Sequence, residues 1–539
     1  SPPHDKETLM TSNSSSSAAV RFVIVGFDGL RPDSVEADMP ALSRFMASNH
    51  SWSHYLADFP TETYVNHPGI FSGFRPTGHG LVANCYWRRD MGGADGVFFG
   101  FDLEHVLRHR REDGLLLVPT MGERLGAAGK TMRVYCANSK GSTRLQHLYA
   151  DRYPDHVCAC VHDLVTSVPD NERRELVEDF GPGVPLEFPD FRGTKLVVDL
   201  FFERELPRGL GDVTVLWIGE PDHSSHEFGI DDERTREARR DADRQFARVL
   251  EWWETEGRDA GVQLVVMSDH GHGVVRRHFD MKGILEKAGL SILMGREVLE
   301  GADTASADAV LVGTYCAGLW FTNPADLSLQ LRARDALMAS PDIGLLFSPS
   351  DPEQPCSIEG RIPGTFSERL VFTDGRRSPD LRIVPRGDPE TGGLVMAPEL
   401  PLGAGNHGGL LPQEINAVLA VGGSAFPGSA VHDDPAGHAD LAVTIMTLEG
   451  LLSGSDMVKP TGRLLDEALP GGPVRRTPAG EAFDLTFGAF HQRIERLSSG
   501  GCAYVTCAHR INNDGWTPER GLPEGARTDD DDCLKEENR

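Results

Sequence analysis

Two hydroxyls stand close together in "DFPTETYVNH", at Thr61 and Thr63. A threonine hydroxyl is a poor nucleophile near neutral pH unless a metal ion or an adjacent base activates it. Either residue reads equally well as the cap of the helix that follows. Carboxylates and imidazoles gather at other points of the chain. In "EPDHSSHEFG", Asp222 and His226 are four apart, so one helical turn would set both on one face and let both reach one ion. The same stretch reads as well as a polar loop with Asp222 capping a helix. In "MSDHGHG", Asp269 and His270 follow an apolar run, and Gly271 and Gly273 permit the sharp turn that would let adjacent residues chelate one ion. An Asx-type turn is the commoner use of such a segment, and His272 reads as a supporting or surface residue rather than a ligand. His407 in "GAGNHGGLL" gains weight only from its company, and Asp28 closes the apolar run "RFVIVGFDG".

No G-x-S-x-G elbow occurs, so a serine triad is not signalled, and a metal is the remaining activator for a threonine. Aspartate and histidine together suit zinc better than manganese or magnesium. Six such ligands would divide into two sets of three with open positions, and paired ions serve phosphoryl transfer by clamping the attacking and leaving oxygens. The expectation is therefore two Zn2+ ions, with Mn2+ or another divalent cation as the alternative.

The elements that must position these residues are strands. Phe22–Val25, Val213–Ile218, Val262–Met267 and Ile415–Val421 are dense apolar runs, separated by helical patterns such as 35–47 and 233–255. Strands alternating with helices predict an α/β fold with a mostly parallel central sheet and helices on both faces. Asp28, Asp222 and Asp269 each follow a predicted strand, and in such sheets the carboxyl ends of the strands line the ligand crevice. The expected organisation is a disordered tail over 1–17, an α/β core over 18–288 and 403–500, a smaller inserted cap over 289–402, and a C-terminal extension over 501–539 ending in an acidic tail.

The formal charge of −28 argues against general nucleic-acid binding, which needs positive faces for phosphates. A small anionic substrate held by metal ions remains compatible with it. No stretch approaches the roughly 18–20 apolar residues that span a bilayer. Nine scattered cysteines favour free thiols and a cytoplasmic location, with isolated disulfides and export after signal cleavage as the alternatives. Met10 reads as a candidate natural start. Oligomeric state is left open.

Six segments in order, "VGFDGLRPD", "FPTETYVNHPGIFSG", "HGLVANCYW", "EPDHSSHEFG", "VVMSDHG" and "GNHGG", resemble the type I phosphodiesterase/nucleotide pyrophosphatase family of the alkaline phosphatase superfamily. The resemblance implies that Asp28, Asp269 and His270 hold one zinc, which also contacts Thr63, and that Asp222, His226 and His407 hold the second. It further implies that Thr63 is the nucleophile and passes through a phosphothreonine intermediate. Asn84 would donate to a phosphoryl oxygen, and Tyr64 would stack on a substrate base. The substrate would be a small phosphoester such as a nucleotide diester or pyrophosphate. Phosphonoacetate-hydrolase-like or phosphomonoesterase activity uses the same core, and a catalytically silent zinc-binding protein is the reading outside enzymes. The chain departs from many relatives at Glu62, where they carry Lys or Arg, at His272, where they carry Met, and at Val65, a frequent proline. His50, His54 and His67 read as surface or packing residues, and His79 as a support for the site.

Overall fold

Arg21–Phe27 forms the central strand β1 because every side chain from Phe22 onward is buried. Val23, Val25 and Phe27 enter one apolar cluster, and Phe22 and Ile24 enter another on the opposite face. A strand covered on both faces must be apolar throughout, which is why the sequence reads as a run. In the computed structural model, which describes residues 20–454, 457–473, 476–511 and 516–518, β1 lies within an eight-stranded sheet. The expected N-terminal and acidic C-terminal tails fall outside the described residues.

The other strands of this sheet are β2 (His50–Trp52), β3 (Met132–Cys136), β4 (Val157–Cys160), β5 (Val213–Ile218), β6 (Val262–Ser268), β7 (Leu419–Gly422) and β8 (Ala430–His432). Their order is β8-β2-β7-β6-β1-β5-β3-β4. The five from β6 to β4 run parallel, while β7 is antiparallel to β6 and to β2. Helix Glu233–Trp252 covers one face through Phe246, Val249 and Leu250, and helix His438–Leu448 covers the other through Leu441 and Ile445. This is the mostly parallel α/β fold expected.

Two elements differ from expectation. The helical pattern over 35–47 is two helices, Pro32–Asp38 and Pro40–Ser48. Pro40 disfavours helical backbone at the residue before it, and Met39 takes φ −128° and ψ 71°. The run over 415–421 is not one strand. A short helix, Pro412–Ile415, precedes Asn416–Ala417, which pairs with Tyr55–Leu56 before β7 begins.

The stretch 289–402 holds a six-stranded sheet ordered Ile292–Met294, Ala309–Val312, Ala317–Phe321, Leu381–Pro385, Ile343–Ser348, Phe366–Ser367. Its last strand, Leu394–Met396, pairs instead with Gly273–His278. Ala479–Phe487, Phe490–Ser499 and Cys502–Ile511 form an antiparallel sheet, so the division drawn at 500 falls in a turn between two paired strands. Cys85, Cys136, Cys158, Cys160, Cys316, Cys502 and Cys507 are free thiols, whereas Cys356 is disulfide-bonded. No described helix is long and apolar enough to cross a membrane.

Candidate metal centre

β5, β1 and β6 are adjacent and parallel, so their carboxyl ends release three chain segments into one crevice. Asp28 follows β1, Asp269 follows β6, and Asp222 opens the helix Asp222–Phe228 four residues beyond β5. Asp222 is thus the first helical residue rather than its cap, and His226 lies one turn on. The Asp222 main-chain N–H donates to the Asp28 carbonyl at 3.1 Å, tying two of these segments together. His407 comes from far along the chain. The strand Gly273–His278 pairs antiparallel with Gly405–Asn406, and this delivers His407 beside His270, their rings stacked with centroids 3.6 Å apart.

Thr63 is the first residue of helix Thr63–Ile70, whose cap position is Glu62 with no side-chain cap bond. Neither threonine caps it: Thr61 donates its hydroxyl to the Gly409 carbonyl and accepts from the Gly408 N–H. Thr63 Oγ1 lies 3.1 Å from His270 Nε2 and 3.4 Å from Asp28 Oδ1. His270 Nε2 is 3.5 Å from Asp28 and 3.4 Å from Asp269. Around Asp222 Oδ1, His407 Nε2 stands at 3.3 Å and His226 Nε2 at 3.4 Å. All six expected ligands and Thr63 therefore converge.

The surrounding bonds prepare these atoms. Asp28 Oδ2 accepts from Asn138 Nδ2 at 2.5 Å and from Trp217 Nε1 at 3.0 Å, leaving Oδ1 toward Thr63. Asp269 Oδ1 accepts from the Gly29 and His270 main-chain N–H groups, and Oδ2 accepts no hydrogen bond among the described residues. His226, His270 and His407 each turn Nδ1 to a main-chain carbonyl, of Gly405, Gly271 and Thr61 respectively. A donating Nδ1–H leaves Nε2 as the bare lone pair, the tautomer a metal requires.

The electrostatics fit a cation. Three carboxylates are buried together, and within 4 Å the only cationic partners they meet among the described residues are histidines. Burial, then Asp269 and Asp222, push the Asp28 carboxyl well above the usual range. Burial opposes ionisation of Asp269 too, but His270 and His67 hold it down at about 2. Burial lowers His270 to about 4, whereas Asp222 raises His407 to about 9 against its burial. Like charges packed this closely away from water require neutralisation, and an oxygen-and-imidazole donor set matches a divalent ion of the zinc class. The residues present fit a bound metal ion.

Asn84 accepts the Tyr64 N–H on Oδ1 at 2.9 Å, which leaves its amide N–H groups for another partner. Its own N–H donates to Glu62 Oε2, a carboxyl that burial pushes up to about 6. The Tyr64 ring lies against Gly100, where an added Cβ would come 2.6 Å from Cγ, and its hydroxyl meets Ser139 Oγ at 3.2 Å. His79 accepts the Leu81 N–H on Nδ1 at 3.2 Å.

Burial settles the place of two further histidines, each on the inner of the two readings the sequence allows. His67 is fully buried, with Nε2 3.4 Å from Asp269 Oδ2 and 3.9 Å from Asp28 Oδ2, so it belongs under the cluster and not at the surface. The signal was its place four residues after Thr63, one helical turn away. His272 is buried as well and meets Asp222 Oδ1 at 2.7 Å. Asp28, His67 and Asp269 form one close donor group, and Asp222, His270, His272 and His407 another.

A family model for type I phosphodiesterase / nucleotide pyrophosphatase matches residues 22–388. A 76-residue stretch is 40% identical to bis(5'-adenosyl)-triphosphatase enpp4 of Mus musculus, covering 14% of this chain and 17% of that protein. An 81-residue stretch is 36% identical to bis(5'-adenosyl)-triphosphatase ENPP4 of Homo sapiens, covering 15% and 18%. These matches span less than a fifth of the curated relatives' length. Among solved structures, human ectonucleotide pyrophosphatase/phosphodiesterase 5 aligns with TM-score 0.56 and 16% identity over 84% of this chain and 100% of that one. The murine protein, inactive and in complex with AMP, aligns with TM-score 0.52 and 17% identity over 80% and 95%. At such identities the structural likeness establishes the fold.

Proposed function

The chain belongs to the type I phosphodiesterase / nucleotide pyrophosphatase family, and we propose that it hydrolyses phosphodiester or pyrophosphate bonds of a nucleotide-like small molecule by way of a phosphothreonine at residue 63. The observation that carries this reading is the buried Thr63 hydroxyl within 3.4 Å of both Asp28 and His270 of the Asp/His cluster. Asp28, Asp269 and His270 would hold one divalent ion, most naturally zinc, and Asp222, His226 and His407 the second. Two bound ions would lower the pKa of the Thr63 hydroxyl and neutralise charge on the phosphoryl and leaving oxygens.

The chain's own residues do the rest. Thr63 Oγ1 attacks phosphorus and loses its proton, the bond to the leaving oxygen breaks, and that oxygen takes up a proton and departs as an alcohol or phosphate. Water then cleaves the phosphothreonine, releasing the phosphate product and restoring the hydroxyl. Asn84, with Oδ1 occupied by the Tyr64 N–H, has its amide donors free for a non-bridging oxygen. Tyr64 is the residue we assign to the substrate's base.

Thr63→Ala should abolish nearly all turnover of p-nitrophenyl thymidine monophosphate while the bound metal, by elemental analysis, stays at the parental stoichiometry. Retained turnover would refute the nucleophile. Preference for p-nitrophenyl phosphate over the diester would move the assignment to a monoesterase, and silence on both with metal bound would leave a binding protein.

A further inference from the structure

His272 stands outside the six-ligand set, yet its Nε2 makes the closest of the imidazole contacts to Asp222 Oδ1, 2.7 Å against 3.3 Å for His407 and 3.4 Å for His226. The space around it is cut to an imidazole. A Cβ on Gly29 would fall 2.8 Å from Cδ2 and Nε2, and one on Gly405 would fall 3.0 Å from Nδ1. Gly29 also holds a positive φ of 66°, so the residue beside the ring is constrained twice over.

His226, His270 and His407 donate from Nδ1 to main-chain carbonyls and keep Nε2 bare. His272 is arranged the other way round. Its Nδ1 is buried and has no bonding partner among the described residues, and its Nε2 faces a carboxylate oxygen. Two lone pairs at 2.7 Å would repel, whereas an N–H there makes a charge-assisted hydrogen bond. A bare Nε2, as a metal ligand needs, would also leave Nδ1–H buried without an acceptor.

We propose that His272 is a positioning residue that donates Nε2–H to Asp222 Oδ1 and fixes the carboxylate around which His226 and His407 gather. This rests on the reading of the cluster as a metal centre. An outer donor of this kind sets the orientation and basicity of its ligand, and its loss weakens ion binding at that ligand's site.

Two measurements test it. In the metal-free parent protein, 15N-histidine NMR should find the His272 proton on Nε2 with Nδ1 bare; a bare Nε2 overturns the proposal without any mutation. In chelator competition with Zn2+, His272→Met should weaken one of two affinities by about 10–100-fold and spare the other. His272→Gln, whose amide can donate from the place of Nε2, should stay close to the parent protein. Unchanged affinities in His272→Met, or equal losses in both variants, overturn the donor role. A parent protein that binds no zinc would instead sink the metal reading, and the tautomer result would still decide the hydrogen bond.

Discussion

At the scale of single residues, Asn84 separates binding from chemistry. Its main-chain N–H is committed to Glu62 and its Oδ1 to the Tyr64 N–H, so the side chain is held from both ends beside Thr63. It touches no carboxylate of the cluster, and Asn84→Ala should leave metal content alone. Removing one preorganised donor to a developing anionic oxygen typically lowers kcat by about 10²–10³-fold. Asn84→Asp should fall at least as far, because it replaces a donor with a charge that repels phosphate. Steady-state kinetics with equal metal loading checks both. Asp28 and Asp269 stood out in the sequence because each follows an apolar run, and His407 because it lies among glycines, whereas the choice of Thr63 over Thr61 came only from the family resemblance. His67 was harder to place, since its only signal is a position one helical turn after Thr63, and for His272 burial decides between the supporting and the surface reading.

At the scale of elements, the site depends on how tightly β1 and β5 approach. Gly26 and Trp217 are register partners, and a Cβ on Gly26 would come 2.1 Å from Trp217 Cε3. Trp217 in turn donates to Asp28 Oδ2. Gly26→Ala should therefore act twice: overpacking of a filled core costs about 1–3 kcal/mol, read as a lower denaturant midpoint. Displacement of the indole should also loosen Asp28, read as weaker ion affinity. A variant with lower stability but parental affinity would mean that Asn138 alone holds the carboxylate. Strands buried on both faces announce themselves as apolar runs, so β1, β5 and β6 were readable. The strand pairs of the insert and of the C-terminal sheet were less so. Past Ser348, the segment "SPSDPEQPCSIEGRIPG" holds only isolated bridges among turn residues before the two-residue strand Phe366–Ser367, and the strand Gly405–Asn406 that delivers His407 has two residues and no pattern to detect.

At the scale of the whole molecule, the three carboxylates buried at the meeting point of β5, β1 and β6 are not equally burdened: histidines hold Asp269 and Asp222 below the usual carboxylate range, whereas burial and those two neighbours leave Asp28 as the one whose charge is destabilising without a cation. Asp28 shows the sign. Burial and the neighbouring Asp269 and Asp222 raise its folded pKa above its unfolded value, so its contribution to stability is full below about 4 and is lost as pH rises through the folded value. The ion-free protein should thus be penalised at neutral pH and relieved as the solution is acidified toward the unfolded pKa. An ion that binds the folded state adds RT ln(1 + [L]/Kd), about 2.7 kcal/mol at a hundredfold excess over Kd. Chelation should accordingly lower Tm at pH 7, added Zn2+ should restore it, and the gap between ion-free and loaded protein should narrow at pH 5. Raised ionic strength should do little to close the gap, because salt screens buried charges much less than exposed ones. A Tm indifferent to chelation across this range, in protein shown by elemental analysis to have carried metal beforehand, would mean that hydrogen bonds from Asn138, Trp217, Gly29 and the histidines already neutralise the cluster.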